Sequence, residues 1–212
     1  MIPKLIFIVP YRDRETHKNF FINHMKNVVM KDRDDYEMYF VHQTDSRPFN
    51  RGAMKNIGFL AIKNKYPEHY KEITIVFNDV DTLPFTKDQL PYETRLGVIK
   101  HFYGFEYALG GIISITGSDY ESVNGFPNFW AWGFEDNALQ TRATKKGIRV
   151  DRSTFYPIMD MNIIHFCHGY DRNVSRSENI RHIKETQEGI NSICNLEYTF
   201  DGYYINVKTF ST

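Results

Sequence analysis

The chain has 212 residues, with 26 lysines and arginines against 26 aspartates and glutamates; that balance excludes bulk electrostatic attraction to nucleic acid or an acidic membrane, and the length suffices for a self-sufficient core. Cys167 and Cys194 are the only cysteines, which argues against a disulfide scaffold and fits a reducing compartment, with one bridge left open. No apolar run reaches the roughly 18 residues of a membrane span, and the N-terminus lacks a charged-then-apolar leader, so the expectation is a soluble chain, which a chain trimmed of an anchor would resemble.

Lys4 to Val9 is apolar and β-branched, which predicts a first buried strand stopped by Pro10. Pro10-Tyr11-Arg12-Asp13-Arg14 follows, and two arginines at a strand end suit a diphosphate or a solvated helix start. Phe20, Phe21, Met25, Val28 and Val29 recur at helical spacing, with Asp13 as the expected N-cap. Asp35 to Val41 reads as a second strand, and Ala53, Ile57, Leu60 and Ala61 mark one face of a helix ending near Lys63. Ile73 to Phe77 is a third strand that stops in Asn78-Asp79-Val80-Asp81. Strand, helix, strand, helix, strand implies parallel pairing and a nucleotide-binding half of Rossmann type. No Gly-x-Gly-x-x-Gly follows any strand, so a dinucleotide is unsupported.

The carboxyl end of a strand in an open α/β sheet is where ligands bind. Asp79 and Asp81 there either form an ordinary turn or offer hard oxygen donors to Mg²⁺ or Mn²⁺. Residues 82–108 are mixed and aromatic, after which Gly110-Gly111 opens a strand through Ile115 and allows close approach of backbone to a ligand. A short helix over 118–123, a turn at Asn124-Gly125-Phe126-Pro127 and a helix from about Asp136 to Lys146 complete this region. Between turn and helix, Trp130 and Trp132 stand beside Glu135 and Asp136: flat faces for sugar rings next to carboxylates able to accept hydroxyl protons, or a buried indole pair before an acid-capped helix.

Pro10 to Arg14, Phe49-Asn50-Arg51, Asp79-Val80-Asp81, Gly110-Gly111, Asn124 to Pro127 and Trp130 to Asp136 occur in the order and spacing of the β-1,4-galactosyltransferases, glycosyltransferase family 7. The resemblance covers nearly the whole chain and extends to His182-Ile183-Lys184-Glu185-Thr186 and Gly189-Ile190-Asn191-Ser192. It implies an α/β GT-A fold, a Rossmann-like mixed sheet flanked by helices with a C-terminal acceptor-binding and lid region. It also implies a single domain, with 1–108 for the nucleotide sugar and 109–212 for the acceptor. The implied reaction is inverting transfer of galactose from UDP-galactose to a glycan hydroxyl, with Mn²⁺ and a β-1,4 linkage.

By matched position, Pro10, Tyr11, Arg12, Arg14, Phe49 and Arg51 would contact uridine and diphosphate. Asp79 and Val80 would take the ribose side, Gly110 and Gly111 the donor sugar, and Asp81 the metal. Trp132 would lie against donor and acceptor, Glu135 and Asp136 would bind the sugars, and Asp136 would be the general base. His165 and His168 would complete the metal set, or Asn162 and His165 in another register. Residues 169–180 resemble a lid that orders over bound donor, or form a plain surface loop. The chemistry agrees independently: inverting transfer needs a carboxylate at the acceptor hydroxyl and a Lewis acid on the diphosphate.

Departures from the family concern specificity. Ala108 stands where a bulkier residue is common and would leave room for the N-acetyl group of UDP-N-acetylgalactosamine. Phe134 replaces a usual glycine, and Ser177 replaces an aromatic beside the acceptor-side Arg176. The expected lack of anchor, stem and disulfides favours a bacterial or viral enzyme acting in a cytoplasm. A UDP-sugar-binding module without turnover, or a metal-dependent phosphoesterase, are the competing readings.

Overall fold

The computed structural model describes residues 1–166, 174–183 and 187–212. Strands β1 (Leu5–Tyr11), β2 (Tyr36–Gln43) and β3 (Thr74–Asn78) are parallel in the order β2-β1-β3. They are joined by helices α1 (Glu15–His24), which continues into a π-helical turn over Met25–Val29, and α2 (Arg51–Lys65). Because β2 and β3 flank β1 on opposite sides, crossovers of one hand leave α1 and α2 on opposite faces of the sheet. The alternation of β1 reads this directly: Leu5, Phe7 and Val9 pack with Phe21, Met25 and Val29, while Ile6 and Ile8 pack with Ala53, Met54 and Ile57. Each such buried side chain contributes roughly 1.5–3 kcal/mol.

Beyond β3 the sheet turns antiparallel. β4 (Thr82–Pro84) leaves the sheet, β5 (Val98–Gly104) forms at its far side, and β6 (Ile112–Thr116) runs antiparallel between β3 and β5. Then come α3 (Gly117–Ser122) and α4 (Glu135–Lys145), followed by β7 (Arg149–Asp151) and β8 (Tyr156–Pro157), both parallel to β5. β9 (Ile163–His165) pairs with β4, and α5 (Arg176–Ile183) precedes a hairpin of β10 (Cys194–Asp201) and β11 (Tyr204–Ser211). β11 adds parallel to the open edge of β2, giving a nine-stranded mixed sheet among the described residues. No helix among them is long and apolar enough to cross a membrane.

Three local expectations are corrected. β1 runs through Pro10 to Tyr11, paired with Val41 and His42; Pro10 lies past Ile8, the last residue that β3 pairs, where a missing N–H disrupts least. Asp13 sits at a φ of 51° and caps nothing; Arg14 is the N-cap of α1, without a side-chain bond. Strand β5, within the mixed 82–108 region, and the β10-β11 hairpin were not expected at all.

Candidate active site

The carboxyl ends of β1 and β3, the N-terminus of α2 and the N-terminus of α4 meet at one edge of the sheet. Asn78 closes the turn after β3, its amide donating to the carbonyls of Asp79 and Thr82 at 2.8 Å each. The Asp79 N–H donates to the Gly111 carbonyl at 3.1 Å, which joins this turn to the start of β6. Opposite, the Asn50 side chain caps α2 by accepting from the Ala53 N–H at 2.8 Å and reaches the Asn128 carbonyl at 3.1 Å. Asn56 also binds the 126–128 loop, donating to the Phe126 carbonyl and to Asn128 Oδ1. Gly52 lies so close to it that a Cβ would sit 2.0 Å from the Pro127 oxygen. Helix α2 thereby aims the Trp130–Asp136 stretch back across the strand ends.

Two cations on one face of α2 engage three carboxylates. Arg51 Nη2 donates to both oxygens of Asp79 at 2.7 and 2.6 Å, and its Nη1 lies 3.6 Å from Glu135. Lys55, one turn later and 2% exposed, donates to Asp136 Oδ1 at 3.1 Å. Burial works against the Arg51 charge, but Asp79, Asp136, Glu135 and Asp81 outweigh it and raise its pKa. Burial, reinforced by Asp136, raises the Glu135 carboxyl above its ordinary value against the pull of Arg51 and Lys55. Gly110 is required beside them, since a Cβ there would come within 2.2 Å of Asp136 Oδ2. Gly111 takes the left-handed backbone at φ +71°.

The stretch between Trp130 and Glu135 splits the two indoles. Trp130 stacks on Phe210 of β11 at 5.3 Å with Arg47 over both rings, so it packs into the hairpin. Trp132 is 45% exposed at the site. Phe134, at a left-handed φ of 69°, precedes α4 and stacks on His182 of α5 at 4.6 Å. Glu178 accepts from the Trp130 N–H at 3.0 Å, so α5 rests on this stretch. Arg176 is exposed at its start, and residues 169–173 of the expected lid lie outside the described residues.

At the end of β1, Pro10 and Tyr11 are buried, the Tyr11 ring lying among Phe40, His42 and Tyr204. Arg12 donates to the carbonyls of Gln43, Asp45 and Arg47 at 3.2, 2.6 and 2.5 Å and lies 5.7 Å over Phe49. Its guanidinium therefore orders the 43–47 segment. Arg14 is half-buried at the start of α1, and Val80 and Ala108 are buried.

Asp81 and His165 are neighbours across the β4-β9 pair: Thr82 opposes His165, and the Asp81 carbonyl accepts from the Phe166 N–H at 2.9 Å. His165 Nδ1 lies 2.8 Å from the Tyr103 hydroxyl. The Asn162 side chain instead donates to Asp160 at 2.8 Å. His168 and Cys167 lie outside the described residues, and among those described no three His, Cys, Asp or Glu side chains converge as a metal set. Sequence reasoning missed Lys55, Asn56 and His101. For Lys55 a signal exists, a charge four residues after Arg51 on a helix read as buried; for His101 none does.

The N-terminal region of glycosyl transferase group 7 matches residues 2–94, and the N-terminal domain of galactosyltransferase matches residues 94–168. Mouse β-1,4-galactosyltransferase 6 is 30% identical, covering 97% of this chain and 56% of its own length. Bovine β-1,4-galactosyltransferase 1 is 27% identical over 97% of this chain and 53% of its own. The xylosylprotein 4-β-galactosyltransferase of Caenorhabditis elegans is 28% identical over 93% and 72%. The chain thus spans about half the length of the first two. The crystal structure of the catalytic domain of Drosophila β-1,4-galactosyltransferase 7 with xylobiose has a TM-score of 0.76 at 22% identity, covering 97% of this chain and 94% of that one. A complex of a mutant of the same enzyme with manganese, UDP-Gal and xylobiose has a TM-score of 0.75 at 21% identity. The fold is therefore GT-A. With adjoining models together matching residues 2–168 and animal galactosyltransferases aligned along almost its full length, the chain belongs to glycosyltransferase group 7, the β-1,4-galactosyltransferase family.

Proposed function

We propose that this chain is an inverting, metal-dependent transferase that moves galactose from UDP-galactose to a sugar hydroxyl in β-1,4 linkage. The observation that carries the reading is the pair of α2 cations, Arg51 on Asp79 and Glu135 and Lys55 on Asp136, which gathers carboxylates from two distant segments at the ligand-binding end of the sheet. The Drosophila relative in complex with manganese, UDP-Gal and xylobiose supports the same ligand classes here.

The donor set suits Mn²⁺. Asp81, a hard carboxylate, and His165, an imidazole, come from paired backbone segments, and the Nδ1 contact to Tyr103 leaves His165 Nε2 for a cation, with His168 as the proposed third ligand. When bound, Mn²⁺ would supply Lewis-acid stabilisation of the diphosphate leaving group. The protein supplies the rest. Pro10, Tyr11, Arg12, Arg14, Phe49 and Val80 line the nucleotide end, and Asp79 reaches the ribose side, held by Arg51. Gly110 and Gly111 let the donor sugar approach the backbone, and exposed Trp132 offers an aromatic face to both sugars. Asp136 accepts the proton of the acceptor hydroxyl as its oxygen bonds to the anomeric carbon from the face opposite UDP. The bond from that carbon to UDP breaks, its electrons leave with the diphosphate, and the configuration inverts. Glu135 and Arg176 complete the acceptor side.

This reading assigns residues 1–108 to the nucleotide sugar and 109–212 to the acceptor. The small, buried Ala108 beside Gly110 supports acceptance of UDP-N-acetylgalactosamine as a second donor. A cysteine-poor chain suits a reducing compartment, which supports a cytoplasmic, bacterial or viral enzyme as part of the proposal.

The test is UDP release from UDP-galactose and UDP-N-acetylgalactosamine, with and without Mn²⁺, in the presence of xylosides or N-acetylglucosamine. Mn²⁺-dependent release increased by an acceptor is the expected result. Asp136→Asn should lower transfer by about 10²–10⁴-fold while UDP binding persists. UDP binding without release from either donor would instead identify a binding module.

A further inference from the structure

We propose that Lys55 is a positioning residue that holds the Asp136 carboxylate in its proton-accepting orientation. The inference rests on the reading of Asp136 as the base and extends it to a residue outside the donor, acceptor and metal sets. Lys55 is 2% exposed in the middle of α2, between Met54 and Asn56. A buried ammonium is tolerated only when it is paired, and the partner of Lys55 is the Asp136 carboxylate, so each of the two groups fixes the position of the other. Its Nζ lies 3.1 Å from Asp136 Oδ1 and 4.1 Å from the Phe126 ring centroid.

Asp136 keeps 22% of its side chain exposed, enough for a hydroxyl to reach it. Its other oxygen fills the space above Gly110 where a Cβ would go. The carboxylate is thus clamped between an ammonium on α2 and bare backbone before β6, while the Leu109 N–H fixes the Asp136 carbonyl at 3.1 Å. Arg51, one turn earlier, is committed to Asp79 and Glu135. Without Lys55 the aspartate would turn about its side-chain bonds, and a misaimed base loses rate without losing substrate.

Lys55→Met keeps length and packing and removes the contact; Lys55→Gln keeps an N–H donor without the charge. Each is compared with Asp136→Asn and with the corresponding double variant by donor and acceptor kinetics, UDP affinity and thermal midpoint. Lys55→Met should lower kcat by about a hundredfold, with donor KM and UDP affinity within about twofold of the wild type, and should lower the midpoint because Asp136 loses its partner. Lys55→Gln should fall between, and neither should lower the rate further once Asp136 is Asn. An unchanged kcat, or an equal loss in the Asp136→Asn background, overturns the proposal. Should Lys55→Met not fold, Lys55→Gln decides by the same double-variant comparison. Failure of the underlying reading is distinct: Asp136→Asn would then transfer at the wild-type rate, which overturns both.

Discussion

Gly110 contributes to the site through the side chain it lacks. A Cβ at this position would come 2.2 Å from Asp136 Oδ2 and 2.7 Å from its Cγ, so an alanine must push the carboxylate off its present position. The Asp136 backbone is tied to Leu109, and its other oxygen to Lys55, so the side chain cannot yield without losing one contact. Gly110→Ala should therefore lower transfer by about a hundredfold. UDP affinity should hold, because the three atoms nearest the added Cβ all belong to Asp136 and none to the Arg51–Asp79 pair. Calorimetric titration with UDP beside steady-state kinetics checks the split; lost UDP affinity with normal kcat would contradict it. At this scale the motifs pointed to residues that the structure brings together: Arg51 pairs with Asp79, and the Asp136 charge acts on Arg51. For Lys55 the sequence offered only a charge on a buried helix, since its partner Asp136 lies 81 residues away, and for His101 it offered nothing, since Arg152 lies 51 residues away. The Trp-x-Trp spacing likewise could not say that Trp130 turns to Phe210 while Trp132 faces solvent.

Helix α5 sits on the active-site stretch through few contacts: Phe134 on His182, Glu178 to the Trp130 N–H, and Arg181 over Phe129 at 5.5 Å. Phe134 adopts the left-handed backbone that a glycine would take without strain. Phe134→Gly would relieve roughly 1 kcal/mol of backbone strain and remove a ring stack of roughly 0.5–1.5 kcal/mol, so global stability should move by less than about 1 kcal/mol. The local result should differ, because α5 loses its aromatic anchor. Trypsin should cleave at Arg176 and Arg181 several-fold faster in the variant, with an unchanged urea midpoint; equal cleavage rates would show that Glu178 and Arg181 suffice. Elements were legible where local periodicity and burial coincide, as in β1, α2 and β3. β5 was hidden because Lys100 and His101 interrupt its apolar pattern and its pairing with β6 is non-local. The β10-β11 hairpin was hidden because β10 is largely exposed, and β11 is recruited by the edge of β2 across some 160 residues.

Over the whole molecule, the far side of the sheet carries a pH dependence linked to the site. His101 on β5 is fully buried, with its Nε2 3.1 Å from the Tyr103 carbonyl and 3.2 Å from the Gly110 carbonyl, while Nδ1 accepts from Arg152 at 3.1 Å. That arrangement makes Nε2 the protonated nitrogen and leaves no place for a second proton. Burial, then the Arg152 charge, push its pKa from 6.5 down to about 4. Between these values the unfolded chain binds a proton that the folded chain does not, so stability falls as pH drops through this window, by up to roughly 3 kcal/mol at its lower end. Glu135 acts in the opposite sense, since its raised pKa lets the folded state take up a proton more readily. Comparing the wild type with His101→Gln, which keeps an N–H donor for the Gly110 carbonyl and cannot titrate, cancels that contribution. Urea unfolding near pH 7 and near pH 4.5 should show the wild type losing about 2–3 kcal/mol more than the variant. Parallel losses in the two proteins would mean that His101 opens to solvent before it protonates. A greater wild-type loss would tie acid sensitivity of the fold to the carbonyl that sets Gly110 beneath Asp136.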